Sequence, residues 1–231
     1  NFEIILTYCE YSDMNRDILE LLMTTLSITK EDFQESEERL FGIIPISCSN
    51  PNINLQCLQY LHELGAEIDL LNRKNRSPIH ILCKNEQIDK ATLLYLFNNS
   101  NSPCNEDTKN RAAFHYACKN PKITLSLFKK FVAFGFDHMQ TDQKGRSPLE
   151  YAMRNTIHYN DILEFLSEKG HFFKTRNAIH STNILHHLCK NENIDQYDDF
   201  DNIFKMFDQV TFSYLINEMD IAGHTPLNIF L

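Results

Sequence analysis

The 231-residue chain has no tryptophan and only six glycines and seven prolines, beside 17 phenylalanines and nine tyrosines. Disordered segments have the opposite balance, so we predict a folded chain. Long apolar runs are also lacking. The longest, residues 40–46, is far too short to cross a bilayer, and no basic segment followed by an apolar one opens the chain. We therefore expect no membrane association.

Motifs that carry out chemistry are equally scarce. The sequence shows no glycine-rich phosphate loop, no paired-carboxylate motif and no nucleophile elbow. We therefore predict that the chain is not an enzyme, has no catalytic residues and binds no cofactor.

The seven cysteines do not form a pattern typical of disulfides. Cys48, Cys83 and Cys118 are 35 residues apart, and Cys189 lies one residue off the same spacing. Equivalent positions in successive helical layers are roughly 10 Å apart, whereas a disulfide needs Cα atoms within about 7 Å. We expect buried, reduced cysteines and a cytoplasmic protein.

The cysteine spacing belongs to an internal repeat of 35 residues. Cys-Lys-Asn begins at Cys83, Cys118 and Cys189, and variants begin at Cys48 and Met153. An apolar pair follows ten and thirteen residues later, on one face of a helix. These pairs are Leu58 and Leu61, Leu93 and Leu96, Phe128 and Phe131, and Leu163 and Leu166. Gly65, Ser100, Gly135 and Gly170 then stand where that helix should end.

Each repeat is predicted to consist of a helix, a short turn, a second helix and an extended loop. The first helix should end before Pro51 and Pro121, because a residue that precedes proline avoids the helical region. The asparagines of the repeat, at positions 50, 85, 120, 155 and 191, are predicted to cap the second helix. Helices this short need neighbouring layers for stability.

Two further motifs recur with the repeat. One reads Ser77-Pro78-Ile79-His80, Ala112-Ala113-Phe114-His115, Ser147-Pro148-Leu149-Glu150, Asn183-Ile184-Leu185-His186 and Thr225-Pro226-Leu227-Asn228. The other places an acidic or amide residue three before Gly or Asn, as in Asn72 to Asn75, Asp107 to Asn110, Asp142 to Gly145 and Asp220 to Gly223.

These motifs resemble the Thr-Pro-Leu-His segment and the hairpin of the ankyrin repeat family. The resemblance implies an all-α fold, an ankyrin-type α-solenoid of about six helical pairs. Tetratricopeptide repeats have a similar period, but their tryptophan signature is missing.

The repeats divide the chain into four predicted segments. Residues 1–38 are a degenerate repeat followed by an acidic linker or long hairpin, Glu31–Glu38. Residues 39–173 are four ankyrin-like repeats, and 174–219 are a divergent repeat with an acidic insertion, Asp195–Asp201. Residues 220–231 begin a further repeat, so we expect a piece of a longer protein.

The three His-x-x-Cys pairs could be interpreted as zinc sites or as cysteine nucleophiles. Each pair offers only two of the four zinc ligands, and a nucleophile in three core positions is a poor design for catalysis. The resemblance implies instead that the histidine hydrogen-bonds the backbone and that the cysteine is a small buried residue. We predict no metal site, and we expect the adjacent His187 to face solvent.

Charge is distributed unevenly along the chain. Residues 73–154 hold fourteen Lys or Arg against seven Asp or Glu, while the remainder is strongly acidic. In ankyrin proteins, partners usually contact the hairpin tips and the concave side of the first helices. Carried over, those places are Arg73, Lys74, Arg76, Lys84, Lys109, Arg111, Lys119, Lys144, Arg146 and Arg154. An alternative is that these residues are only solvated tips.

We therefore predict a protein-interaction module that binds a partner segment or domain of acidic character. The alternative is an intramolecular regulatory array of a larger enzyme or signalling protein. Nucleic acid is not expected, because the ends are acidic and only Tyr116 and Tyr151 lie near the basic positions. Neither the partner's identity nor the oligomeric state can be read from the sequence.

Overall fold

The computed structural model describes residues 2–35, 42–85, 89–155, 157–168, 177–194, 203–205 and 207–230. Over these ranges the regular structure is helical, with no strand, as the sequence predicts. None of the described helices is long and apolar enough to cross a membrane. The chain divides into two units, residues 1–108 and 109–231.

Seven helices lie within the described residues of the first unit. They are α1 (Phe2–Tyr11), α2 (Arg16–Thr25), α3 (Lys30–Glu35), α4 (Ile43–Ser49), α5 (Leu55–Glu63), α6 (Pro78–Leu82) and α7 (Lys90–Asn99). Two rows of helices result: α4 packs on both α1 and α6, while α5 packs on both α2 and α7. The N-terminal pair α1 and α2 thus forms a layer like the pairs after it. Helix α3 covers the described part of the segment Glu31–Glu38, for which the sequence predicted an acidic linker or a long hairpin.

The second unit is built in the same way. Its described helices are α8 (Ala113–Lys119), α9 (Leu125–Ala133), α10 (Pro148–Asn155), α11 (Tyr159–Glu168), α12 (Ile184–Leu188), α13 (Gln209–Asn217) and α14 (Pro226–Phe230). The row of first helices runs α8, α10, α12 and α14, each packed on the next, and α9 packs on α11. The predicted insertion Asp195–Asp201 and helix end at Gly170 lie outside the described residues.

The repeated apolar positions form the core of each unit. All eight residues of the apolar pairs, from Leu58 to Leu166, are fully buried. Cys48 and Cys83 in the first unit, and Cys118 and Met153 in the second, are equally inaccessible. All seven cysteines are free, as expected, although Cys104 is exposed and Cys189 is half-buried. Burying one such side chain contributes roughly 1.5–3 kcal/mol, so the stacked layers supply the stability that short helices lack.

The turn between paired helices is formed as predicted, but its asparagine has a different role. Asn50 and Asn120 adopt extended backbone directly before their prolines, which ends the first helix. The Asn50 side chain does not cap the second helix. It donates to the carbonyls of Cys9 and Ser12 in the preceding layer, at 3.1 and 2.8 Å. The prediction of a capping role was therefore wrong.

The same layer-to-layer bond recurs at other asparagines of the repeat. Asn85 donates to the carbonyl of Cys48 at 2.9 Å, and Asn191 donates to that of Met153 at the same distance. The caps lie four residues further along, where the side chains of Asn54, Asp89 and Thr124 accept from the backbone amide three residues later. Positions 54, 89 and 124 share the 35-residue spacing, and this signal could have identified them.

The predicted hairpins are present in both units. Asn75 and Asn110 have φ values of 56° and 55°, and Gly145 and Gly223 have 68° and 82°. Asn and Gly are the residues that adopt this left-handed conformation most readily, which explains their place in the motif. Each of these hairpins therefore turns sharply and projects its central residues outward.

Candidate functional site

The hairpin turns are held by an acidic or amide side chain at their first position. In the first unit, Oδ1 of Asn72 accepts the backbone amides of Lys74 and Arg76 at 2.9 and 3.2 Å. In the second, Oδ1 of Asp142 accepts those of Lys144 and Arg146 at 2.8 and 3.1 Å. The side chain replaces solvent as acceptor and fixes the direction in which the basic residues leave the turn.

Neighbouring hairpins are also joined through their backbones. The amide of Thr108 donates to the carbonyl of Lys74 at 3.1 Å within the first unit. Within the second, the amide of Gln143 donates to the carbonyl of Lys109 at 3.0 Å. Lys109 and Lys144 are therefore on adjacent tips, each exposed and carried on a fixed backbone. This edge of the second unit thus carries two exposed cationic residues on hairpins that are joined by a backbone hydrogen bond.

The arginines of the repeat are placed differently from the lysines. Nε of Arg76 lies 3.2 Å from Oδ2 of Asp107, and Nε of Arg111 lies 2.9 Å from Oδ2 of Asp142. In both pairs the arginine side chain is only 13% exposed and the aspartate 1% exposed. These two predicted contact residues thus form ion pairs within their own units, each with an aspartate 31 residues later. The sequence identified both aspartates as hairpin residues but not as partners of the arginines.

Asp142 is the centre of a larger polar cluster. Its Oδ2 also accepts the hydroxyl of Tyr151 at 3.1 Å, and the Arg111 guanidinium lies 5.9 and 6.0 Å from the ring centres of Tyr116 and Tyr151. Burial alone would raise the pKa of Asp142. The hydrogen bonds from Arg111 and the turn amides outweigh it and lower that pKa. The carboxyl is therefore ionised at neutral pH, and both of its oxygens accept hydrogen bonds within the unit.

Most other predicted contact residues lie at the surface. Arg73, Lys74 and Lys84 are exposed in the first unit, and Lys109, Lys119, Lys144 and Arg154 are exposed in the second. Arg146 is half-buried and its guanidinium lies 6.0 Å from the ring centre of Tyr151. It forms no ion pair with any residue that the structure describes. The structure thus brings Arg111, Arg146 and Tyr151 together and leaves the lysines on the tips.

The histidines of the His-x-x-Cys pairs form hydrogen bonds with the backbone. Nδ1 of His80, His115 and His186 accepts the amide three residues earlier, at 3.2, 3.1 and 3.1 Å. Burial raises the pKa of Cys83 well above its usual value and that of Cys189 to about 12, which disfavours the thiolate. No group of three or more metal-ligating side chains occurs in the described part of the chain. The three histidines thus stabilise the starts of α6, α8 and α12.

Glu150 replaces the histidine of this motif in one repeat and lies in an unusual environment. Its Oε2 accepts the amide of Ser147 and the side chain of Asn177, both at 3.3 Å, and lies 3.6 Å from Nε2 of His187. Burial raises the pKa of Glu150 to about 7. His187 is 7% exposed, not solvent-facing as predicted, and burial lowers its pKa to about 3. Two titratable groups are thus buried side by side between α10 and α12.

No protein-family model matches the chain, and no curated protein sequence matches it either. What the chain binds is therefore inferred from its own residues.

Proposed function

We propose that the chain is an array of ankyrin-type repeats that binds a partner protein, and that an acidic segment of this partner lies along the basic hairpin tips. The array recognises its partner and carries out no chemistry itself. The exposed lysines attract the segment and set its orientation, while a few partly buried side chains provide most of the affinity.

The repeated layers support the ankyrin assignment. Within each unit the first helices form one row, the hairpins carry left-handed Asn or Gly, and the histidine bonds the backbone at the start of the first helix. These features occur at the positions that define the family resemblance. Repeat arrays of this kind present extended surfaces on which a partner segment can lie.

The functional part of the proposal rests on one observation. Basic side chains recur on adjacent hairpin tips, and the aspartate beside them already forms an ion pair with another side chain. Lys109 and Lys144 are exposed on joined hairpins, while Asp142 beside them is buried beneath Arg111. Asp142 is thus paired with Arg111 and not with the exposed Lys144 of the same hairpin. A segment that carries carboxylates would complete the charge balance.

Charge reversal at the tips tests this proposal. Lys74, Lys109 and Lys144 are changed together to glutamate, and the variant is compared with wild type by affinity capture from the lysate of the source cell. A matched control reverses Lys90, Lys122 and Lys129, which are exposed but lie off the hairpin tips. Circular dichroism verifies that all three proteins are folded.

We expect wild type and control to capture the same protein and the tip variant to lose it. The captured protein should then bind purified wild type directly, with an affinity that falls as salt increases. Equal capture by the tip variant and by wild type would contradict the proposal, since the lysines would then be only solvated residues.

A further inference from the structure

Three arginines occupy the same place in successive repeats. Two of them form an ion pair with an aspartate that lies 31 residues later in the chain. Arg76 is paired with Asp107, and Arg111 is paired with Asp142. Position 177, which is 31 residues after Arg146, holds asparagine instead. We call Arg111, Asp142 and Tyr151 the Arg111 junction, and Arg146, Glu150 and Asn177 the Arg146 junction. Both lie within the second unit.

Asn177 keeps only half of the role of the aspartate. Its Oδ1 accepts the amides of Ile179 and His180 at 2.9 Å, as an aspartate of the hairpin would. Its Nδ2 donates to the carbonyl of Gly145 and to Oε2 of Glu150. This nitrogen is a donor, so it offers no acceptor to a guanidinium. In the Arg111 junction an ionised carboxylate oxygen faces the guanidinium. In the Arg146 junction the amide group of Asn177 occupies the equivalent position.

Glu150, one helical turn beyond Arg146, does not substitute for the missing aspartate. No atom of its carboxyl lies within 4.0 Å of the Arg146 guanidinium, whereas Oε2 is bound by Ser147 and Asn177. Burial also raises the pKa of this carboxyl to about 7, so its charge is only partial at neutral pH. Arg146 therefore interacts with the side chain of Tyr151 but forms no ion pair with a carboxylate of the described residues.

The surroundings of Arg146 are basic. Lys144 precedes it by two residues in the same turn, and Arg154 lies two turns further along α10. On the other side, Asp142 is occupied by Arg111 and by Tyr151. A guanidinium presents a planar fork that matches a carboxylate with two parallel hydrogen bonds. An external carboxylate would restore at Arg146 the arrangement that the chain builds internally at Arg76 and Arg111.

We propose that Arg146 is the anchor for a glutamate or aspartate side chain of the partner, bound at the accessible side of the guanidinium beside Tyr151. This inference rests on the proposed function and makes it more specific. The lysines at the tips attract an acidic segment, and Arg146 determines which of its carboxylates is held.

A fluorescein-labelled octaglutamate peptide is a suitable probe, with octaglutamine as its neutral counterpart. Fluorescence anisotropy at low salt measures the dissociation constant for wild type, Arg146→Ala and Arg146→Lys. Arg16→Ala is the matched control, because it removes an exposed arginine from the other unit. A double variant, Lys109→Gln with Lys144→Gln, reports on the tips separately, and a single-stranded oligonucleotide of equal charge tests phosphate as the ligand.

We expect Arg146→Ala to weaken binding at least about tenfold, since a hydrogen-bonded ion pair is lost. Arg146→Lys should weaken it severalfold, because an ammonium group cannot form two parallel bonds, and Arg16→Ala should leave it unchanged. The double variant, Lys109→Gln with Lys144→Gln, should bind octaglutamate more weakly than wild type. In this background, a substitution of Arg146 should weaken binding by a larger factor than it does in wild type.

Several results would overturn the inference. They are wild-type affinity in both Arg146 variants, no binding of octaglutamate to wild type, or tighter binding of the oligonucleotide that depends on Arg146. Should only the lysine variant lose binding, the anchor is wrong but the proposed function stands. Arg146→Lys keeps the charge and most of the volume, so the test remains decisive even if Arg146→Ala fails to fold.

Discussion

The Arg111 junction and the Arg146 junction occupy equivalent places one repeat apart and differ in how their charges are satisfied. In the first, a buried aspartate accepts the arginine, a tyrosine hydroxyl and two turn amides. In the second, an asparagine accepts the turn amides in place of an aspartate, and the acidic residue of the junction is Glu150, to which this asparagine donates. The same backbone motif thus carries an arginine in an internal ion pair in one repeat and, in the next, an arginine that we propose binds a partner.

Removing the central carboxylate of the Arg111 junction should have the largest effect. Asp142→Ala deletes the ion pair with Arg111 and leaves two turn amides and a tyrosine hydroxyl without their acceptor. We expect the free energy of unfolding to fall by roughly 3–5 kcal/mol, measured by urea denaturation. Glu164→Ala, at an exposed position of α11, is the control and should change it by less than about 0.5 kcal/mol. Equal losses would show that the junction does not hold the layers together.

The Arg146 junction should instead respond to pH through Glu150. The pKa of this carboxyl rises from 4.5 to about 7 on folding, so the folded state favours the protonated form. Its contribution to stability is full below pH 4.5 and is lost as the pH rises through 7. Glu150→Gln should therefore be more stable than wild type at pH 8, by about 3 kcal/mol at most. A wild-type loss of stability from pH 4.5 to 8 that persists in Glu150→Gln would contradict this.

His187 should give the opposite pH dependence. Its pKa falls from 6.5 to about 3 on folding, so its contribution is present above pH 6.5 and is lost as the pH falls towards 3. His187→Gln should lose this acid-side dependence and retain the one from Glu150. Thermal unfolding of the two single variants from pH 3 to 8 would separate the two groups. Identical profiles for both variants would show that neither group titrates in this way.

A hydrogen bond from an asparagine side chain also joins the layers that contain α10 and α12. Asn191 is 5% exposed and donates to the carbonyl of Met153 at 2.9 Å. Asn191→Ala leaves that carbonyl without the bond, and we expect a loss of about 1–3 kcal/mol in urea denaturation. Asn193→Ala, at an exposed neighbour, should cost less. A negligible effect at Asn191 would mean that apolar packing alone joins α10 and α12.

The smallest effect on stability is expected at the tips. Changing Lys109 and Lys144 to glutamine removes two exposed charges whose backbones carry the hairpin bonds and remain in place. The free energy of unfolding should change by less than about 0.5 kcal/mol, while binding of octaglutamate weakens. A large loss of stability would show that these lysines belong to the fold, which would remove the basis of the proposed function.

The sequence predicted the layers well because burial follows the repeat. Leu58, Phe128 and Cys118 could be identified as core from a 35-residue spacing alone, and Asn75 and Gly145 as left-handed turn residues from their type. The sequence predicted the wrong hydrogen bond for the asparagine of the repeat, namely a cap on the second helix. Asn50 lies one turn from the helix that it was expected to cap, and only the packed layers reveal that carbonyls of the preceding layer are closer.

The candidate surface was harder to predict, since a column of arginines does not reveal which of them are used internally. The aspartates that pair with Arg76 and Arg111 are 31 residues away, and this distance becomes meaningful only when the hairpins are adjacent. Glu150 and His187 were hidden for the same reason. Their pairing depends on which face of α12 meets α10, and the neighbouring His186 fills the position that the motif predicts.

The most direct test of this account compares Arg111→Ala with Arg146→Ala by urea denaturation at pH 7. Arg111→Ala leaves Asp142, with its side chain 1% exposed, without its cation, and we expect a loss of about 3 kcal/mol. Arg146→Ala removes a half-buried side chain that has no described ion pair, so its loss should stay below about 1 kcal/mol. Equal losses in the two variants would contradict the account, because Arg146 would then be as much a part of the fold as Arg111.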